Sequence, residues 1–305
     1  MDGVGWGAAV PSCSHRRDPS VKRKSAPAAL LLGFALAAAG FAGCSSPQKS
    51  DTGSAPARPN GTITAAGSTA LLPLVKDTAT EYQLQHKDVK ISVSGGGSAA
   101  GITQVAAGAI DIGDSDITAP GHPELKDHRI AVVGFAIATN PSAGVKNLSR
   151  AQLRDIFAGK IANWKDAGGA DQKIVVVNRP RSSGTRAVFV KVIMGSTPLA
   201  ESGLVEDATG TAVSIVAQTP GAITYVALSG IRSGVTIVAV DGVTPTPQTI
   251  ETGKYTIWSY EHMFTRGEAK GHVADFIAFT AQSADLLKKN KFIAVGDMKV
   301  TETDR

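Results

Sequence analysis

Thr62-Ile-Thr-Ala-Ala-Gly-Ser-Thr-Ala-Leu-Leu-Pro-Leu-Val75 is the stretch whose reading decides the fold. Residues 62–65 alternate polar and apolar side chains, the period of a half-buried strand. A turn of small residues, Gly67-Ser-Thr69, follows, and from about residue 70 to residue 85 the apolar spacing becomes that of a helix. The pattern then recurs, with a strand predicted at 89–94, a helix at 99–108 and a strand at 110–113. This alternation predicts an α/β fold with a largely parallel sheet.

Further along, residues 130–138 are almost continuously apolar, as in a strand buried on both faces, and Asn140-Pro141 interrupts them. A crossing into a second lobe is expected there. Residues 149–158 carry apolar side chains at helical spacing behind Ser149 as N-cap, and a strand at 174–178 and a helix at 185–194 follow. Thr244-Pro-Thr-Pro247 reads as a stiff connector, and helical patterns recur at 271–280 and 284–289. The expected organisation is lobe I from 62–139 plus 247–305 and lobe II from 140–246. The 305-residue length fits two lobes better than one core.

With 43% hydrophobic and 19% charged residues, the chain has the composition of a globular protein rather than a disordered or fibrous one. Its formal charge of +5 comes mostly from the N-terminus: five of the 31 basic and two of the 26 acidic residues precede residue 44. The remainder, 26 basic against 24 acidic residues, offers no electrostatic footprint for nucleic acid.

That N-terminus reads as an export signal. Lys22-Arg-Lys24 precedes an apolar run over 28–42 that is short for a membrane span. The run closes on Phe41-Ala-Gly-Cys44, which resembles the bacterial lipobox, with Phe41 where Leu is usual. Residues 1–43 are therefore expected to be a lipoprotein signal peptide, Cys44 the lipid-bearing residue and 44–61 a flexible tether rich in Ser, Pro, Gly and Ala. Cys13 is the only other cysteine, so no disulfide is expected after processing.

Three loops carry the chemistry: Gly67-Ser-Thr69, Gly95-Gly-Gly-Ser98 and Ser182-Ser-Gly-Thr185, each between a predicted strand and a predicted helix. A helix start offers unpaired N–H groups and the positive end of the helix dipole, and so attracts anions. Any one loop is better explained as an ordinary cap beside a tight turn. Three of them, with Arg179 directly after a strand and the acid-bearing Asp111-Ile-Gly-Asp-Ser-Asp116, point to a polar cage for a tetrahedral oxyanion.

These segments resemble the phosphate-binding subunit of bacterial phosphate ABC transporters. The likeness runs over most of 62–300 and rests on Ala66-Gly-Ser-Thr-Ala-Leu-Leu-Pro73, Gly95-Gly-Gly-Ser98, Ile112-Gly-Asp-Ser-Asp116, Leu153-Arg-Asp-Ile-Phe-Ala-Gly-Lys-Ile-Ala-Asn-Trp164, Val177-Asn-Arg-Pro-Arg-Ser-Ser-Gly-Thr-Arg186 and Pro220-Gly-Ala-Ile-Thr-Tyr225. The resemblance implies a two-lobed periplasmic-binding-protein fold (type II-like), with a ligand cleft between the lobes and two hinge crossings. It also implies extracytoplasmic capture of inorganic phosphate, delivery to the permease subunits of an importer driven by a cytoplasmic ATPase, a monomer, no cofactor, no metal and no catalysis.

Carried over by position, the site comprises Thr69, the Ala70 N–H, Ser98 and Asp116 from the first lobe, and Arg179, Ser183, the Gly184 N–H and Thr185 from the second. Two positions depart from the family pattern: Ser182 stands where Gly is usual, and Arg181 where a small or acidic residue is usual. Arg181 has two readings, added positive potential at the cleft mouth or a solvated loop charge.

Asp116 would set specificity, because a carboxylate opposite an anion is tolerated only where the ligand donates a hydrogen bond. Phosphate keeps a proton at neutral pH, whereas sulfate does not. The alternatives are a receptor for sulfate, arsenate or molybdate, and a secreted phosphatase using the same cage. Gly95-x-Gly97-x-x-Ala100 also fits a dinucleotide fingerprint, but the expected acid should end the second strand, and Asp116 follows a third. No metalloprotease, nucleophile-elbow or Walker pattern occurs. The histidines His86, His122, His128, His262 and His272 are expected as scattered surface imidazoles, and Trp164, Trp258 and Tyr225 as packing residues.

Overall fold

The computed structural model describes residues 61–201 and 203–304. The expectations for the signal peptide, Cys44 and nearly all of the tether lie outside the described residues.

Five strands come first along the chain. They are β1 (Thr62–Gly67), β2 (Lys90–Ser94), β3 (Ile112–Ser115), the long β4 (Leu125–Thr139) and β5 (Asn147–Leu148). The second half has β6 (Val175–Asn178), β7 (Leu204–Val205), β8 (Ala222–Ala227), β9 (Thr236–Val240) and β10 (Trp258–Arg266). The helices are α1 (Leu72–Gln85), α2 (Ser98–Ala106), α3 (Arg150–Phe157), α4 (Gly184–Phe189), α5 (Thr209–Gln218), α6 (Pro247–Glu251), α7 (Gly271–Gln282) and α8 (Ala284–Lys289). Strand order is β2-β1-β3-β10-β4-β8-β6-β7, with β9 paired to β4 and β5.

Pairings β1–β2, β1–β3, β6–β8, β6–β7 and β5–β9 are parallel, but β10 runs antiparallel to β3 and β4, and β4 antiparallel to β8 and β9. The expectation of a largely parallel sheet is corrected to a mixed one. The two antiparallel strands in its middle are the cause, because β10 returns from the far end of the chain to lie between β3 and β4.

β4 joins the two halves. Its residues from Leu125 to Gly134 pair with β10, and those from Phe135 to Thr139 pair with β8. The half of β4 nearest its end is buried on both faces, which explains its unbroken apolar sequence. Asn140 closes the strand by accepting from the Ser142 N–H at 3.0 Å and donating to the carbonyls of Val216 and Ala217.

Local signals explain several boundaries. Ser149 and Gln152 form a reciprocal capping box at the start of α3. Pro247 opens α6 behind the Thr246 cap, so the expected connector at 244–247 runs directly into a helix. β3 begins two residues later than expected. The helix expected at 185–194 starts at Gly184 and continues past Phe189 as a π-helical turn over Val190–Met194. Trp164, Trp258 and Tyr225 are wholly buried. Tyr225 lies flat against Phe189, ring centroids 4.1 Å apart, and so braces α4 against β8.

Candidate functional site

Asp116 follows β3 at the point where the three loops converge. It is 2% exposed, and its carboxylate accepts from two hydroxyls: that of Ser68 at Oδ1, and that of Thr185, 2.8 Å from Oδ2. Its backbone N–H donates to Ser98 Oγ at 3.0 Å. Burial holds the Asp116 pKa above the ordinary carboxylate value on balance, although the bonds from Ser68 and Thr185 and the charge of Arg179 pull it back down. With a hydroxyl donor on each oxygen, the group is configured as an ionised acceptor.

The loops are held in place by their own capping. Ser68 Oγ accepts from the N–H groups of Ala70 and Leu71, each at 3.1 Å, at the start of α1. Ser183 caps α4 by accepting from the Arg186 N–H at 3.3 Å. The Ala99 N–H, in the first turn of α2, donates to the Ser182 carbonyl at 3.1 Å, a direct bond between two of the loops. Gly97 permits that approach: its φ is +86°, and a β-carbon there would lie 2.9 Å from the Ser182 carbonyl oxygen.

Gly184 is tighter still. A β-carbon would lie 2.3 Å from Ser98 Oγ and 2.8 Å from Asp116 Cβ, so only glycine lets α4 close onto Ser98 and Asp116.

Arg179 is 1% exposed although it carries a guanidinium. Nε donates to the Glu206 carbonyl at 2.8 Å, and Nη2 to the Thr69 hydroxyl at 3.0 Å and to the Asp207 carbonyl. Nη1 reaches Thr209 at 3.4 Å. Burial lowers the Arg179 pKa, and the negative charge of Asp116 opposes that shift. The turn that aims Arg179 is fixed behind it: Asn178 Oδ1 accepts from the Arg179 N–H at 2.9 Å and from the Tyr225 hydroxyl, and burial pushes that phenol up to about 12. The result is a buried guanidinium facing hydroxyls and an acceptor carboxylate, in surroundings dry enough to strengthen every charge interaction.

Residues 52–284, more than half of the sequence, match the model of a PBP superfamily domain. The chain belongs to the PBP superfamily.

This PBP-superfamily chain is 44% identical over 275 residues to the phosphate-binding protein PstS of Bacillus subtilis, covering 87% of the chain and 91% of that protein. Among solved structures, it superposes with a TM-score of 0.73 on a phosphate ABC transporter substrate-binding protein with bound phosphate from Clostridium perfringens. That relative is 31% identical, and the match covers 77% of this chain and 99% of that one. An ABC-type phosphate transport receptor from Vibrio cholerae gives 0.63 at 30% identity, covering 76% and 99% of the two chains. These relatives are named for binding and transport rather than catalysis. The likeness bears out the α/β, two-lobed architecture expected from the sequence.

Within the PBP domain, the eight expected site residues fall into two linked groups. Ser98, Asp116, Gly184 and Thr185 meet directly, with Ser183 capping the same helix start. Thr69 and Arg179 meet through a hydrogen bond, and the Ala70 N–H is taken by Ser68. Sequence reasoning missed Ser68 as a donor to Asp116, and Thr209 and the Glu206 and Asp207 carbonyls as partners of Arg179. Ser68 lay inside a quoted loop and was legible; a backbone carbonyl leaves no mark in a sequence.

Two further readings are settled by position. Arg181 is 83% exposed in its side chain and pairs with Glu201 at 2.9 Å, the solvated loop charge of its two readings. The expectation of scattered surface imidazoles fails at His262, which lies on β10, is 1% exposed and is bonded to Asp127 at 2.7 Å. Nothing in the local sequence marked 258–266 as a buried strand.

Proposed function

We propose that this chain captures inorganic phosphate outside the cytoplasmic membrane and passes it to the permease of an ATP-driven importer. One observation carries the reading: Asp116, a buried carboxylate, stands in a ring of hydroxyl donors next to the buried Arg179. A ligand that brings both negative charge and a hydrogen to donate satisfies the two groups together, and protonated phosphate is such a ligand. The names of the relatives support the same substrate.

The ligand contacts are Thr69, the Ala70 N–H, Ser98 and Asp116 on one side, and Arg179, Ser183, the Gly184 N–H and Thr185 on the other. On binding, phosphate takes the place of Thr185 as hydrogen donor to Asp116 and draws on the Ser68-capped turn for N–H groups. The lobes, 62–139 with 247–305 and 140–246, close over it by bending where β4 crosses and around 240–247. Export follows the signal over 1–43. A diacylglyceryl Cys44 holds the protein, a monomer, at the membrane by the tether over 44–61. Calorimetric titration with phosphate and sulfate tests the reading.

A further inference from the structure

Two buried carboxyls beside the site take no part in the contacts described so far. Asp114 and Glu261 have no solvent exposure, and none of their four carboxyl oxygens has a hydrogen-bond partner. Topology puts them next to Asp116. Side chains alternate along β3, so Asp114 and Asp116 share a face. Ser115 pairs with His262 across the β3–β10 ladder, and continuing that register sets Glu261 beside Asp116.

Three carboxyls in one dry volume cannot all be ionised. Asp116 has the claim to the negative charge, since it alone has hydroxyl donors on both oxygens and feels Arg179. Asp114 and Glu261 have no such support; burial first, then the charge of Asp116, holds their pKa values well above the ordinary carboxylate range. A proton on Glu261 is attracted toward Asp116, although in this conformation neither Glu261 oxygen completes a well-formed bond.

Other charges are turned away. Arg129, Tyr260 and His262 line a surface pocket on the opposite face of β10, with His262 tied to Asp127. α2 carries no charged residue. On α1 and α7, Lys76, Glu81 and Asp275 are exposed, and Asp77 is tied to Lys289 at 2.9 Å. Arg186 of α4 donates to the Arg179 carbonyl at 2.7 Å.

We infer that Glu261 is a positioning residue of the anion site: with Asp114 it forms a protonated carboxyl layer beneath Asp116, so that phosphate affinity depends on a proton held by the protein. The inference rests on the reading of Asp116 as the phosphate acceptor. Ionising Glu261 places a second negative charge behind Asp116, against the incoming anion, and binding then requires that a proton be taken up with the ligand. Affinity falls with rising pH for a reason that is separate from the ligand's own titration.

The test is calorimetric titration of the processed protein with inorganic phosphate, from about pH 8 to about pH 10, a range in which phosphate stays largely the singly protonated dianion. In the wild type the Kd climbs by about tenfold per pH unit once the layer loses its proton. In Glu261→Gln, which cannot ionise, that alkaline climb is reduced most, and Asp114→Asn reduces it less. Infrared spectra of the wild type near neutral pH show the carbonyl stretch of a protonated carboxylic acid, and this band weakens in either variant. The infrared measurement on the wild type decides the matter even where a variant fails to fold. Equal alkaline slopes in wild type and Glu261→Gln, or a wild type without the acid band, overturn the inference and leave the site assignment standing. A wild type that binds no phosphate at neutral pH overturns both.

Discussion

The Thr185 hydroxyl donates to Asp116 Oδ2 across 2.8 Å, joining the first turn of α4 to the residue that follows β3. With the Ala99–Ser182 bond and the contact between Arg179 and Thr69, it fastens two sides of the polar centre together from sequence positions 69 to 110 residues apart. Contacts of this kind hold a cleft shut, so their loss is read first in ligand affinity and only then in stability.

Gly184→Ala tests how tight that closure is. The added methyl meets Ser98 Oγ and Asp116 Cβ, neither of which lies at the end of a long flexible chain. Overpacking of this kind costs about 1–3 kcal/mol. Because the contact exists only when the sides are closed, the cost falls on binding: phosphate affinity drops by roughly 10- to 100-fold, while the melting temperature without phosphate moves little. Isothermal titration with differential scanning calorimetry checks both halves.

Arg179→Ala removes a buried charged partner and is expected to weaken phosphate binding by about 2–5 kcal/mol. Arg179→Lys restores little of it. A single ammonium cannot reach the Glu206 carbonyl, the Asp207 carbonyl and the Thr69 hydroxyl and still face the ligand, whereas the guanidinium fork does so. Kd values of the two variants, measured side by side, check this.

The buried carboxyls also set the pH dependence of stability. Asp114 and Glu261 have raised pKa values in the folded state, so above the ordinary carboxylate pKa the folded protein holds more protons than the unfolded chain. Stability then falls as pH rises, with each group contributing at most about 1.4 kcal/mol per pH unit. His128, whose pKa burial lowers, acts in the opposite sense near its own ordinary value, as one group against Asp114, Glu261 and Asp116. Without phosphate, the melting temperature should therefore rise as pH is lowered from about 8 toward about 5, and Glu261→Gln should flatten that slope. Thermal melts over a pH series measure it.

The sequence made the local features legible. Ser149 marked the start of α3, the bounds of α8 were readable directly, and the three loops at Ser68, Ser98 and Ser183 each proved to lie between a strand and a helix. β10 was illegible because Ser259, Glu261 and His262 are polar yet buried, which erases the hydropathy pattern, and because its partners β3 and β4 lie more than a hundred residues away in sequence. α5 was missed because Thr209, Gly210, Thr211 and Val213 are weak helix formers whose helix depends on packing against β8. In the site, the proposed ligand-binding side chains are marked by type and spacing. The groups packed around them, such as Glu261 beside Asp116 or the carbonyls holding Arg179, are set by tertiary contact alone.

Competitive calorimetry of the wild-type protein with phosphate and sulfate at neutral pH probes the role of Asp116 most directly, with Asp116→Asn as its partner. A carboxylate that requires a donated hydrogen predicts one-to-one phosphate binding and sulfate weaker by about 10⁴-fold, with that gap narrowing in Asp116→Asn. Sulfate binding as tight as phosphate, or a gap unchanged by Asp116→Asn, would contradict it.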